Sequence, residues 1–276
     1  MRSTNAVALL VLLAAPLAAQ RYSAVDSNDE WLDNCRRGGN SDDRGRACEI
    51  REVAVKSNGR SLDVDGRTNG SIRVLAWDRS EVKVTARLQA SSRRDAEARD
   101  LLKDIVIKGD DARITADGPR MSSSDRGDRD SWSVSYVIMV PKRYDLRLEG
   151  SNGSLGVTGV SGRLDLRTVN GSLNLTDVGG DVHARTSNGS LNVQLDGSKW
   201  EGAGLEAETQ NGFVRMQIPE RYAARIETET VNGRVNTDFP VTVQGRIGRN
   251  LSFPLNGGGA TLRATTVNGS VTLTRR

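Results

Sequence analysis

The dipeptide Asn-Gly constrains this chain more than any other feature, because it returns at a nearly fixed spacing with the same neighbours around it. It occurs at Asn58, Asn69, Asn152, Asn170, Asn188, Asn211, Asn232 and Asn268, and from Asn152 onward the intervals are 18, 18, 23, 21 and 36. Six positions before each of the last six asparagines stand Leu146, Leu164, Val182, Leu205, Ile226 and Leu262. Two before them stand Gly150 and then Thr168, Thr186, Thr209, Thr230 and Thr266. Three after them stand Leu155, Leu173, Leu191, Val214, Val235 and Val271. Aliphatic residues alternate with polar ones such as Asp165, Arg167, Asn174 and Arg185, the period of strands with one buried face. Asn-Gly is expected to turn the chain, both residues tolerating positive φ.

A meander of hairpins would use the same turn chemistry. It gives no reason, however, for identical residues to return after every second strand. The expected fold is therefore all-β: a β-solenoid (β-helix-like) of about 18-residue, two-strand coils, with like residues stacked about 4.8 Å apart. The turn ladder would consist of Asn152, Asn170, Asn188, Asn211, Asn232 and Asn268, their amides hydrogen-bonded from coil to coil. Residues 239–259, with Phe239-Pro240 and a Gly257-Gly258-Gly259 run, are expected to form a looped-out or irregular coil between the last two regular ones.

Charge density falls from 49 charged side chains in residues 21–150 to 24 in residues 151–276, placing an organisational boundary near 141–150. Residues 141–276 are read as the solenoid and 50–140 as a β-rich cap region containing one short helix, about 92–104, on which Ala98, Leu101, Leu102 and Ile105 fall at helical spacing. A hairpin turning at Gly109-Asp110-Asp111 and a polar loop from Met121 to Asp130 complete the cap, with Trp31, Trp77, Trp132 and Trp200 available to pack on the ends of the stack.

Residues 1–19 have the form of a signal peptide: Arg2, an apolar run from Ala6 to Leu13, and small residues through Ala19. That run is too short to span a bilayer, and no later segment is apolar enough, so the expectation is an exported chain, periplasmic or extracellular, without a transmembrane segment after cleavage. Cys35 and Cys48 lie in the segment 20–49 and are the only cysteines. In an oxidising compartment they are expected to form a disulfide, since a metal site would lack partners: the single histidine is His183. The net charge of +4 is spread over both halves, so no nucleic-acid footprint is expected.

No catalytic, cofactor-binding or metal-binding residue is assigned, and the chain is expected not to be an enzyme. His183, between Val182 and Ala184, is expected to be a surface residue. Asp165, Asp177 and Asp181 imitate the carboxylates of solenoid polysaccharide enzymes, yet turn and solvent-face duty accounts for them. Asn-Gly-Ser at Asn69, Asn152, Asn170, Asn188 and Asn268 matches glycosylation acceptors, but Asn58, Asn211 and Asn232 keep the turn without the serine. Arg126-Gly127-Asp128 is attributed to local composition. The acids Asp26, Asp29, Glu30, Asp33, Asp42 and Asp43 lack the spacing of a calcium loop and read as a solvated segment.

The segments Thr168-Val169-Asn170-Gly171-Ser172-Leu173 and Thr266-Val267-Asn268-Gly269-Ser270-Val271 resemble the repeats of a bacterial adhesin-like family of unknown-function domains. The lead-in Val140-Pro141-Lys142-Arg143-Tyr144, echoed by Ile218-Pro219-Glu220-Arg221-Tyr222, is similar to that family's as well. The resemblance covers about residues 50–276 and implies a β-solenoid at the cell envelope, related to toast-rack modules. It supplies no catalytic residues. The function expected is an interaction scaffold whose envelope or extracellular partner is a protein, glycan or peptide. The alternatives are an envelope-stress sensing module that binds peptides or membrane components, and a glycan-active enzyme.

Overall fold

The computed structural model describes residues 26–38, 44–55, 61–67, 69–109, 112–120, 130–240 and 249–276. The signal-peptide reading, the Asn58 turn, Asp42, Asp43, Arg126-Gly127-Asp128, the Asp110-Asp111 turn and the polar loop apart from Asp130 lie outside these residues. The elements run α1 (Asn28–Arg37), β1 (Gly45–Val53), β2 (Ser61–Asp65), β3 (Ile72–Trp77), β4 (Lys83–Ser92), α2 (Asp95–Lys103), β5 (Val106–Gly109), β6 (Arg113–Asp117) and β7 (Ser131–Pro141). They continue with β8 (Asp145–Gly150), β9 (Leu155–Thr158), β10 (Ser161–Thr168), β11 (Leu173–Thr176), β12 (Gly179–Asn188), β13 (Leu191–Gln194), β14 (Gly204–Asn211) and β15 (Val214–Ile218). The last are β16 (Ala224–Asn232), β17 (Val235–Thr237), β18 (Asn250–Leu255), β19 (Thr261–Asn268) and β20 (Val271–Arg275).

These strands form two open ten-stranded sheets sharing one core. From β8 to β15 the chain alternates between the sheets, and each strand pairs in parallel with the strand two further on. The register puts Leu146 beside Leu164 and Leu164 beside Val182 in one sheet, and Leu155 beside Leu173 and Leu173 beside Leu191 in the other. These side chains are at most 3% exposed, so the aliphatic rows line the space between the sheets and the intervening polar residues face outward.

Two departures from the expected order follow from the pairing. First, the stack begins earlier than residue 141: β2 pairs in parallel with β8, and β3 with β9. Leu62 pairs with Leu146 while Asn69 bonds to Asn152, so the earlier segment carries one extra residue before its asparagine. Arg67, at φ 53°, lies in that insertion, which displaced the aliphatic positions from the repeat alignment. Second, β19 and β20 do not follow β16 and β17 in space; they lie between that pair and β14 and β15. The described residues of 239–259 correspondingly match the looped-out reading rather than an irregular coil within the stack. Their described part includes β18, which pairs antiparallel on the outer edge of β16 and buries Leu251, Phe253 and Leu255.

At the other end of the stack β4 is covered on both faces, giving the burial pattern of an internal strand. The expected helix is present as α2, starting at Asp95 because Ser91 and Ser92 still belong to β4. Its Ala98 and Leu102 close the core. A second helix, α1, was not anticipated. Ser27 caps it through the Glu30 amide at 3.1 Å, Asp29 and Glu30 sit in its first turn, and Arg36 and Arg37 in its last. Cys35 and Cys48 are disulfide-bonded, tying α1 to β1. Arg87, only 7% exposed, donates to the Asp26 carbonyl at 2.6 Å beneath the helix.

The asparagine turns also differ from expectation. Outside glycine, positive φ occurs among the described residues at Arg67, Asp177 and Asn256, and of the repeat glycines only Gly269 has it, at 157°. Glycine is required there for close approach instead. A Cβ on Gly171 would lie 2.0 Å from the Gly153 carbonyl oxygen, and one on Gly189 equally 2.0 Å from that of Gly171.

Candidate functional site

Three surfaces are built by the repeat: a corner ridge, an outer face of alternating charge and an outer face whose repeat strands carry no acid. On the ridge, side-chain amides donate in one direction through the stack. Asn152 donates to Asn69 at 3.1 Å, Asn170 to Asn152 at 2.8 Å, Asn188 to Asn170 at 2.9 Å and Asn211 to Asn188 at 2.9 Å. Asn268 then donates to Asn211 at 2.7 Å, and Asn232 to Asn268 at 2.9 Å. Beneath the ridge, buried threonine hydroxyls donate to the glycine carbonyl of the neighbouring turn: Thr168 to Gly153, Thr186 to Gly171 and Thr209 to Gly189, at 2.8–3.1 Å. The repeated residues thus satisfy one another, and the asparagines whose motif matches a glycosylation acceptor are engaged within the ridge.

The sheet of β8, β10, β12, β14, β19 and β16 carries the charge. Along one outward row the register runs Asp63, Arg147, Asp165, His183, Glu206, Arg263 and Glu227. Formal charge alternates when His183 is protonated. His183 lies 3.0 Å from Glu206 through Nδ1 and 3.2 Å from Asp181 through Nε2, and Arg185 also reaches Glu206, at 2.9 Å. The hydrogen bond from His183, then that from Arg185, holds the Glu206 carboxyl below its usual range. Asp165 pairs with Arg167 at 3.1 Å. His183 is therefore an outward residue, as its neighbours in sequence imply.

Asp177 lies away from that row, at the corner opposite the asparagine ridge. It lines a cleft of about 990 Å³ together with Asp145, Asp196, Glu201, Lys199 and Tyr222. Asp145 accepts the Arg163 backbone N–H at 2.7 Å, and Asp196 the Gly197 N–H at 3.0 Å. Burial pushes the Tyr222 phenol up to about 12, so it stays protonated at neutral pH. Of Asp165, Asp177 and Asp181 only Asp177 lines this cleft, while Asp165 is held by Arg167 and Asp181 stands beside His183 on the charged face. The acids Asp26, Asp29, Glu30 and Asp33 belong to or flank α1, with Asp33 paired to Arg37 at 3.3 Å. Among the described residues no three His, Cys, Asp or Glu side chains gather where a metal ion could be held. Trp200 is buried with its indole N–H on the Gly180 carbonyl at 3.0 Å, and its loop accounts for the 23-residue interval.

The outer face of the second sheet differs in kind. Its outward positions on β9, β11, β13, β15, β20 and β17 hold Gly156, Thr158, Asn174, Thr176, Asn192, Gln194, Arg215, Gln217, Thr272, Thr274 and Asn236, with no acidic side chain. Phe213 stands 41% exposed, with the Arg215 guanidinium 5.2 Å from the centre of its ring. The repeat has serine at the equivalent Ser154, Ser172, Ser190 and Ser270, and arginine at Arg234. Phe213 was not singled out from the sequence, although that departure from serine was visible in the alignment.

The Toastrack DUF4097 family model matches residues 45–274, nearly the whole of the described stack. The chain belongs to that family. Solved structures similar to this Toastrack chain include a provisionally named cell adhesion protein from Clostridium sporogenes, 12% identical, with a TM-score of 0.44 over 83% of this chain and 100% of that one. Another is a provisionally named adhesin from Bacteroides fragilis, also 12% identical, with a TM-score of 0.40 over 83% and 97% of the two chains. No curated protein sequence matches. Among the described residues no helix is long and apolar enough to cross a membrane.

Proposed function

We propose that this Toastrack chain is an exported, non-catalytic β-solenoid of about 18-residue coils that serves as an interaction scaffold at the cell envelope. The observation that carries this reading is the division of labour in the repeat. Its recurring residues are consumed by the ridge, the threonine bonds and the core, while its variable residues occupy two broad outer faces. A repeat of this kind supplies surface rather than a reacting centre. The Cys35–Cys48 disulfide and the signal-like residues 1–19 support an oxidising destination. Adhesion in the designations of the similar structures is consistent with a surface role. The partner is an envelope or extracellular molecule, and nucleic acid is not favoured by the charge distribution.

The test is expression with the native N-terminus, followed by fractionation and mass spectrometry. The expected outcome is a chain cleaved near Ala19, oxidised at Cys35 and Cys48, and able to recover an envelope component by pull-down. Retention of the full chain in the cytoplasm, or background recovery alone, would remove this reading.

A further inference from the structure

We infer that the outer face of β9, β11, β13, β15, β20 and β17 binds an acidic polysaccharide, with Phe213 and Arg215 at the centre of the site. This rests on the scaffold reading and names its partner class. The two outer faces have the same backbone and opposite chemistry. One presents alternating acids and bases that already neutralise each other; the other presents amides, hydroxyls and arginine with no acid among the outward strand positions given above. A polyanion is repelled by carboxylates on the first face and meets none on these strands of the second.

The site has a definite centre. Phe213 projects from a row that otherwise holds Ser154, Ser172, Ser190, Ser270 and Arg234, and Arg215 stands two residues along from it, its guanidinium 5.2 Å from the ring. No ion pair of Arg215 occurs among the described residues, so its fork remains open to a carboxylate, which it can hold through two parallel N–H···O bonds. In register with Arg215 on either side lie Asn192 and Thr272, an amide and a hydroxyl suited to sugar hydroxyl groups. The exposed Phe213 ring offers an apolar face to the C–H side of a pyranose. Rows across a sheet repeat at roughly 4.8 Å, so an extended sugar chain lying along the stack meets polar side chains at regular intervals. A folded protein partner would be favoured instead by an apolar patch around Phe213, whereas its row neighbours are Ser190 and Ser270.

The test uses the intact oxidised protein in affinity electrophoresis through gels containing polygalacturonate, heparin or neutral dextran. Phe213→Ser and Arg215→Asn are the variants, each restoring a residue type that the repeat carries at the neighbouring position, which protects folding; circular dichroism melts verify it. Arg263→Gln on the charged face is the control. The expected result is retardation by polygalacturonate and not by dextran, weakened about tenfold in each variant and unchanged in the control. Absence of retardation by polygalacturonate overturns the proposal. So does equal loss in the control, or heparin binding indifferent to Phe213→Ser, either of which indicates diffuse charge attraction. Recovery of an envelope component equally by wild type and both variants also overturns the polysaccharide site while leaving the scaffold reading intact; recovery by none removes the scaffold reading itself.

Discussion

Asn268 donates its side-chain amide to Asn211 at 2.7 Å, although Asn232 separates the two in sequence. The pair of strands carrying Asn268 is therefore inserted into the stack rather than added to its end. The charged row supplies a physical reason. In the observed order Glu206, Arg263 and Glu227 alternate in sign, and Arg263 bonds Glu227 at 2.7 Å. Stacking in sequence order would set Glu206 directly beside Glu227, and like charges on adjacent strands oppose pairing.

Arg263→Glu is thus expected to destabilise the protein by about 1–2 kcal/mol, because it creates a run of three acids. Arg263→Gln should cost less than about 0.5 kcal/mol at this exposed position. Urea unfolding of the two variants checks the difference, which should shrink in high salt.

Gly171→Ala should cost about 3 kcal/mol or more, since the new Cβ would meet the Gly153 carbonyl oxygen at 2.0 Å and force adjacent turns apart. Gly197→Ala provides the contrast. Gly197 has φ 80° but nothing within 4 Å of its Cβ position, so only the left-handed backbone cost of roughly 1–2 kcal/mol applies. Thermal melts should separate the two clearly.

The threonine row predicts both a loss and a gain. Thr186→Val removes the hydroxyl that donates to the Gly171 carbonyl at 2.9 Å and should cost about 1–2 kcal/mol, with Thr186→Ser recovering most of it. Gly150 occupies the threonine position of its own turn, and a Cβ there makes only ordinary contacts of 3.7–4.0 Å. Gly150→Thr should therefore stabilise by about 1 kcal/mol through reduced backbone freedom and a new hydroxyl bond. A lowered denaturation midpoint for Gly150→Thr would contradict this account.

Acid stability should carry a contribution from Glu206. Its folded-state carboxyl titrates below the usual value of 4.5 because His183 and Arg185 bond to it. The stability gained is present above the unfolded value and is lost as pH falls below about 4.5 through the folded one. For this partly exposed, solvent-screened group it amounts to less than about 1 kcal/mol. His183→Gln should flatten that part of the stability–pH curve, measured by denaturant midpoints across the acid range.

Much of the stack was legible in the sequence because buried rows and satisfied turns demand particular residue types at fixed spacing. Leu146, Leu164 and Val182 announce a shared face, and the asparagine ladder follows from their period. The turn containing Asn69 was obscured by one added residue near Arg67, which shifts the frame without altering the fold. The order of the last two repeats was hidden for another reason: their core residues are interchangeable, and only the charges on the outer row distinguish the arrangements. Helix α1 escaped notice since its hold on the protein is a disulfide and the buried Arg87 contact rather than an apolar stripe of its own. The outer face around Phe213 required knowing which polar residues share a side of which sheet.

Reduction of the disulfide offers a last check on that end of the molecule. Opening a loop with a 13-residue separation should remove roughly 3 kcal/mol. The expected consequence is protease sensitivity confined to α1 and its flanks, read by limited digestion with and without reductant, while the repeat strands remain protected.

The inserted position of β19 and β20 also bears on the order of events as the chain folds. From β8 to β15 the strands can add one after another, each finding a neighbour already in place. β16 and β17 cannot, because the partners they adopt are made later on the ribosome. They must either wait undocked or sit temporarily against β14 and β15 and then move aside. A stack whose β8–β15 stretch grows vectorially therefore finishes with a step that needs the whole repeat region at once, and the final strands act as a lock on that stretch.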